Sequence, residues 1–148
     1  MKYYPYTILL ALSFLLSCNS TFTPKRRGYF RIDFPRFAAR IYISYKQIGP
    51  NSFDKLRDDA FKMTYKHTSK ASSIDQSVIQ TPNGVGGIFF HVGGNAATAQ
   101  QFYLTDTTRH FLRGALYFDT TPNEDSLATV NHFLQQDLTH LINSFRWK

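Results

Sequence analysis

The sequence predicts an α+β domain, an antiparallel sheet of roughly five strands with two helices packed on it. Three observations lead there. Several short segments alternate apolar and polar residues with period two, two longer segments repeat apolar residues at helical spacing, and the links between the strands are brief. Parallel pairing would need long crossovers that these links do not supply.

The elements follow in chain order. Arg40 to Lys46 places Ile41, Ile43 and Tyr45 on one face and Arg40, Tyr42, Ser44 and Lys46 on the other, a half-buried strand. Gly49-Pro50-Asn51 breaks it, and Asn51 with Asp54 three residues on reads as a variant capping box. Phe53, Leu56, Ala60, Phe61 and Thr64 form an apolar stripe opposite Lys55, Asp58, Asp59, Lys62 and Lys66, so a helix runs to Lys66 or His67. Ile74 to Gln80 is a weak strand, closed by Thr81-Pro82-Asn83-Gly84. Val85 to Val92 is a strongly apolar one. Gln101 to Thr105 turns Phe102 and Leu104 inward, and His110 to Phe118 turns Leu112, Leu116 and Phe118 to one face. Asp106 to Arg109 between them is a hairpin turn capped by its own side chains. Thr121-Pro122-Asn123-Glu124 is a capping box with proline at the first helical position. Leu127, Val130, Phe133, Leu134, Leu138, Leu141, Ile142 and Phe145 then make the broad apolar face of the last helix.

The chain has 148 residues, one domain's worth, and 43% hydrophobic residues, which rules out wholesale disorder. Its only cysteine, Cys18, excludes a disulfide framework and a cysteine-rich zinc site. Lys2 followed by the uncharged run Ile8 to Leu16 has the form of a signal-peptide h-region, too short to span a membrane. Leu15-Leu16-Ser17-Cys18 looks like a bacterial lipobox, which makes residues 1–17 a lipoprotein signal peptide and Cys18 the acylated residue, carrying palmitate-type chains. Residues 18–31 then form a basic tether with Lys25, Arg26, Arg27 and Arg31, and residues 32–148 a single domain. From Cys18 to Lys70 the charge is +8, and from Ala71 onward it is −2. The basic excess thus lies beside the anchor. Export and the absence of any recognition-helix or stacking signature exclude nucleic acid as a partner.

Candidate chemistry is sparse. His132 and His140 stand eight apart on the last helix, so they differ by about 80° around it, and no metal or cofactor is expected. A triad of Ser44, His67 and Asp106 can be written down, but no nucleophile-elbow glycines surround the serine. A lipidated envelope hydrolase using such residues is the rival reading, and a tethered ligand-binding module a third. The stronger cluster is polar. Gly94-Asn95, Thr105-Asp106 and Arg109-His110 end successive strands, with His67 following the first helix. Asn95, Asp106, Arg109, His110 and His67 are therefore expected to converge on one sheet edge as an interaction surface.

Gly28 to Pro35 (GYFRIDFP), Ile43 to Lys46, Tyr65 to Thr68, Gly93 to Phe118 and the terminal Phe145 to Lys148 (FRWK), in this order behind a lipobox, carry a likeness. The sequence resembles the gliding motility lipoprotein GldD family of Bacteroidota. The resemblance implies a membrane-anchored, non-enzymatic component required for gliding and linked type IX secretion, whose partners are other proteins of that machinery. It supplies no catalytic residues. The family pattern carries further strands between the GYFRIDFP-like segment and ISYK, whereas here Asp33-Phe34-Pro35 runs almost directly into Arg36 to Arg40. That implies a shortened amino-terminal part of the sheet and an exposed strand edge. No acidic run follows Cys18, which favours a domain facing the periplasm, from either the inner or the outer membrane.

Overall fold

The computed structural model describes residues 29–50 and 52–148. The expected signal peptide, Cys18, most of the expected tether and the expected cap Asn51 lie outside them. Six strands form one antiparallel sheet: β1 (Tyr29–Phe34), β2 (Ala39–Gln47), β3 (Ala71–Gln80), β4 (Gly86–Gly94), β5 (Gln100–Thr105) and β6 (His110–Phe118). Their order is β1-β2-β6-β5-β4-β3. The last four make the expected meander, and β2 joins its far side by pairing with β6, Ile43 opposite Gly114. Helix α1 (Phe53–Tyr65) lies between β2 and β3 in sequence, and α2 (Glu124–Ser144) follows β6.

The fold class is α+β, as expected, with one strand more. The additional strand is β1, so residues 29–31, assigned above to the tether, belong to the sheet. Phe30, Ile32 and Phe34 pair with Ile43, Ile41 and Ala39 and continue their apolar face. A short 3-10 turn, Pro35–Phe37, closes this hairpin directly, with Ala38 in the left-handed region at φ 45°. The amino-terminal part of the sheet is thus short but fully in register. Its open edge is the outer side of β1.

The two helices occupy opposite faces. On one, Leu134, Leu138 and Ile142 of α2 bury against Ile41, Ile43, Phe102, Leu104, Leu112 and Leu116. Each such aliphatic side chain taken from water stabilises the fold by about 1.5–3 kcal/mol. Gly114 makes room for the Phe102 ring on this face, since a Cβ there would lie 2.3 Å from the ring carbon Cζ. On the other face Ala60 of α1 packs with Phe90, Tyr103 and Phe111, ringed by Phe53, Leu56 and Phe61. Every residue of β5 is buried, because this central strand is covered on both sides. The inward turn expected only for Phe102 and Leu104 is therefore half of the arrangement.

Two helix starts differ from expectation. Asn123, not Thr121, caps α2: its side chain accepts from Ser126 N–H, so Pro122 stays outside the helix. Ser52 stands at the start of α1, where its hydroxyl bonds back to Gly49.

Candidate functional site

An antiparallel sheet has two ends, and its successive turns alternate between them. At the turn end lie the β5–β6 turn, the β3–β4 turn and the end of β2, tied to Arg109 O by Ile48 N–H. At the helix-entry end lie the loop after β4, the start of α2 and the segment after α1. Asn95 and His67 belong to the helix-entry end, and Asp106, Arg109 and His110 to the turn end. The five expected surface residues are therefore not brought together as one edge.

Three of them, Asp106, His110 and Asn95, have local tasks. Asp106 Oδ1 accepts from the backbone N–H of Thr108, Arg109 and His110 at 3.1, 2.8 and 2.9 Å. These bonds shape a turn in which Thr107 takes the left-handed conformation, φ 65°. Partial burial pushes the Asp106 carboxyl up, but the three N–H groups outweigh it and hold the pKa below the usual range. His110 Nδ1 meets the Tyr45 hydroxyl at 2.6 Å, and its ring stacks on Trp147 with centroids 4.9 Å apart. Trp147 in turn meets Phe145 edge-on at 4.7 Å. Asn83 donates to the carbonyls of Asn143 and Phe145, fixing the chain after α2 over the β3–β4 turn. Arg109 alone points outward, without a side-chain partner among the described residues.

At the other end, Asn95 Oδ1 accepts from Glu124 N–H at 2.9 Å and so helps Asn123 cap α2. His67 is half-buried behind α1. Burial, with Arg113 adding repulsion, holds its pKa below the ordinary value, so the imidazole is kept neutral. The Ser44, His67 and Asp106 trio is not assembled, since its acid is committed to backbone N–H groups at one end and its histidine sits at the other. No group of three histidine, cysteine or acidic residues is gathered among the described residues.

Two features escaped the sequence reading. The first is a buried polar chain under α1. Thr64 Oγ1 lies 3.2 Å from Gln101 Oε1, which also accepts from the half-buried Arg113 guanidinium. The second is a cavity of about 310 Å³ between α2 and the loop after β4, lined among others by His91, Phe118, Glu124, Asn131 and His132. Asn131 Oδ1 on its wall is buried without a partner, as is Oε1 of the fully buried Gln100 behind it. Only a glutamine's lack of hydrophobicity marks Gln100 and Gln101 in the sequence, and alternation alone does not tell a buried amide from an exposed one.

No helix among the described residues is long and apolar enough to cross a membrane. Neither a curated protein nor a solved structure matches the chain. The model of one family does match, over residues 2–147, and its description is gliding motility lipoprotein GldD. A match of that extent takes in Cys18, the residues before it and the whole sheet, and the chain belongs to the gliding motility lipoprotein GldD family.

Proposed function

We propose that this protein is a non-enzymatic component of the gliding machinery and of the type IX secretion linked to it, working by protein contacts. Cys18 carries the acyl chains after residues 1–17 are removed, and the domain faces the periplasm. The observation that carries this reading is the family match from residue 2 to residue 147, with a lipobox-like Ser17-Cys18 inside it. Supporting it, Asp106, Asn95 and His110 hold a turn, a helix start and the carboxy-terminal Trp147. Arg109, outward on a rigidly capped turn, is the proposed centre of the contact surface at the turn end. Deleting the gene is expected to abolish colony spreading and lower secreted cargo, and a deletion strain that glides and secretes normally would sink the reading. Cys18→Ser is expected to move the protein from the membrane to the soluble fraction. Arg109→Glu is expected to reduce spreading while the protein stays folded and anchored.

A second reading, a tethered ligand-binding module, is favoured by one observation: an unpartnered carbonyl oxygen, Asn131 Oδ1, on the wall of a cavity of ligand size. It predicts that Asn131→Leu abolishes spreading without loss of stability. Normal spreading by that variant removes it.

A further inference from the structure

One margin of the molecule combines features that neither the core nor the turns require. Along β1, on the α2 face, Phe30 stands 63% exposed at the very start of the sheet. At the far end of the same hairpin the Phe37 ring packs 5.4 Å from Phe133 of α2, which is itself 49% exposed. Exposed Pro35 and Arg36 lie beside them. Large apolar side chains left in water this way need a reason when they cluster. On the opposite face of the hairpin Arg31 bonds to Asp33, and Arg40 to Asp119 and Tyr42, so the acidic groups here are already engaged.

We propose that this margin, Phe30, Phe37 and Phe133 with Arg36, seats on the surface of an anionic bilayer. The proposal rests on the lipid-anchored reading above and adds the orientation of the domain. Three arguments select a bilayer as the occupant. First, ten residues separate Cys18 from Tyr29, a reach of at most about 40 Å, so the start of β1 is the part of the domain held nearest the lipid. Second, Lys25, Arg26 and Arg27 fall within that reach, and with the exposed Arg36 they supply cations that complement acidic head groups. Third, aromatic rings flanked by arginines suit the interface, where rings enter the acyl boundary and guanidinium groups stay with phosphate. The other exposed apolar pair with cations beside it, Met63 and Tyr65 near Lys62 and Lys66, belongs to α1 on the opposite face of the sheet, away from the entry of the tether.

The test uses the full anchored protein in phosphatidylethanolamine vesicles with and without phosphatidylglycerol, some carrying brominated acyl chains. Cys18 is the only cysteine and is blocked by its thioether link, so one introduced cysteine takes a single environment-sensitive fluorophore. Three exposed positions are labelled separately: Phe30→Cys, Phe133→Cys, and Val78→Cys on the opposite sheet edge, 78% exposed. With phosphatidylglycerol present, brominated lipid is expected to quench the labels at 30 and 133 about twofold and to leave the label at 78 unchanged. Raising salt to about 1 M, where screening acts over about 3 Å, is expected to weaken the quenching while the acyl anchor holds. Protein that floats with vesicles but shows no quenching at 30 and 133 overturns the seating and leaves the anchor intact. Protein that fails to float overturns both. Labels at 30 and 133 that are shielded before lipid is added overturn it in favour of a protein on this margin.

Discussion

The two faces of the sheet are built from different materials. Under α2 the contacts are mainly aliphatic, with Leu134, Leu138 and Ile142 set among isoleucines and leucines of β2, β5 and β6 around the Phe102 ring. Under α1 they are aromatic, Tyr103 stacking on Phe111 at 5.2 Å and Phe61 meeting Phe90 edge-on at 5.2 Å. A polar chain runs through that layer from Thr64 to Gln101 to Arg113. Burial weakens the Arg113 guanidinium's hold on its proton, its pKa lying below the usual arginine value. The difference teaches which face bears the weight. Aliphatic burial tolerates no gap, whereas a buried polar chain contributes only while each member keeps its partner.

Substitutions can separate the two faces. The largest loss is expected from Leu138→Ala, about 3–5 kcal/mol in urea unfolding, because a fully buried leucine leaves a cavity as well as lost transfer energy. Gln101→Leu is expected to cost about 2–3 kcal/mol, since it strips the half-buried Arg113 of its acceptor. Adding Arg113→Met should restore most of that loss, and a double variant no better than Gln101→Leu alone would show the chain to be ornamental. Trp147→Ala is expected to cost about 1–2 kcal/mol by unstacking His110 and Phe145. A changed His110 ring environment in NMR spectra would confirm that route. Asp106→Ala should cost about 1 kcal/mol at neutral pH, the scale of a lost side-chain cap. Its folded carboxyl lies below the ordinary value, so its stabilisation is full above about pH 4 and disappears as pH falls through the lower folded value. The variant's stability should therefore be flatter in acid than the parent's. His67→Gln should do least. His67 is held neutral in the fold, so the unfolded chain takes up its proton first as pH drops below about 6.5, and stability declines there. The glutamine variant should lack that decline.

Much of the scaffold was legible because period and punctuation agreed. His110–Phe118 has the expected bounds, and the stripes of both helices face the sheet. β1 is hard to read from sequence because Lys25, Arg26, Arg27 and Arg31 make its neighbourhood look like tether, although Phe30, Ile32 and Phe34 alternate. Pro122 suggests a first helical position and hence a cap at Thr121, yet Asn123 supplies a side-chain acceptor closer to the first free N–H groups of α2. The candidate surface fared differently. Asn95 and Asp106 end adjacent strands, and adjacent strands in a meander end on opposite sides, so sequence proximity of turns misleads about space. Polar residues at those turns were noticed because they are polar. The fold uses them for that same property, to satisfy backbone groups that no strand or helix can reach.

The place where the tether enters has a mechanical consequence. Tyr29 opens β1, and β1 has a single neighbour, held through six residue pairs from Tyr29–Ser44 to Phe34–Ala39. A pull delivered through the anchor along the strand would load all six pairs at once, in shear. The same pull directed across the sheet would open them one after another, from the anchored end inward. The direction of traction relative to β1, more than its size, would decide whether the domain stays whole.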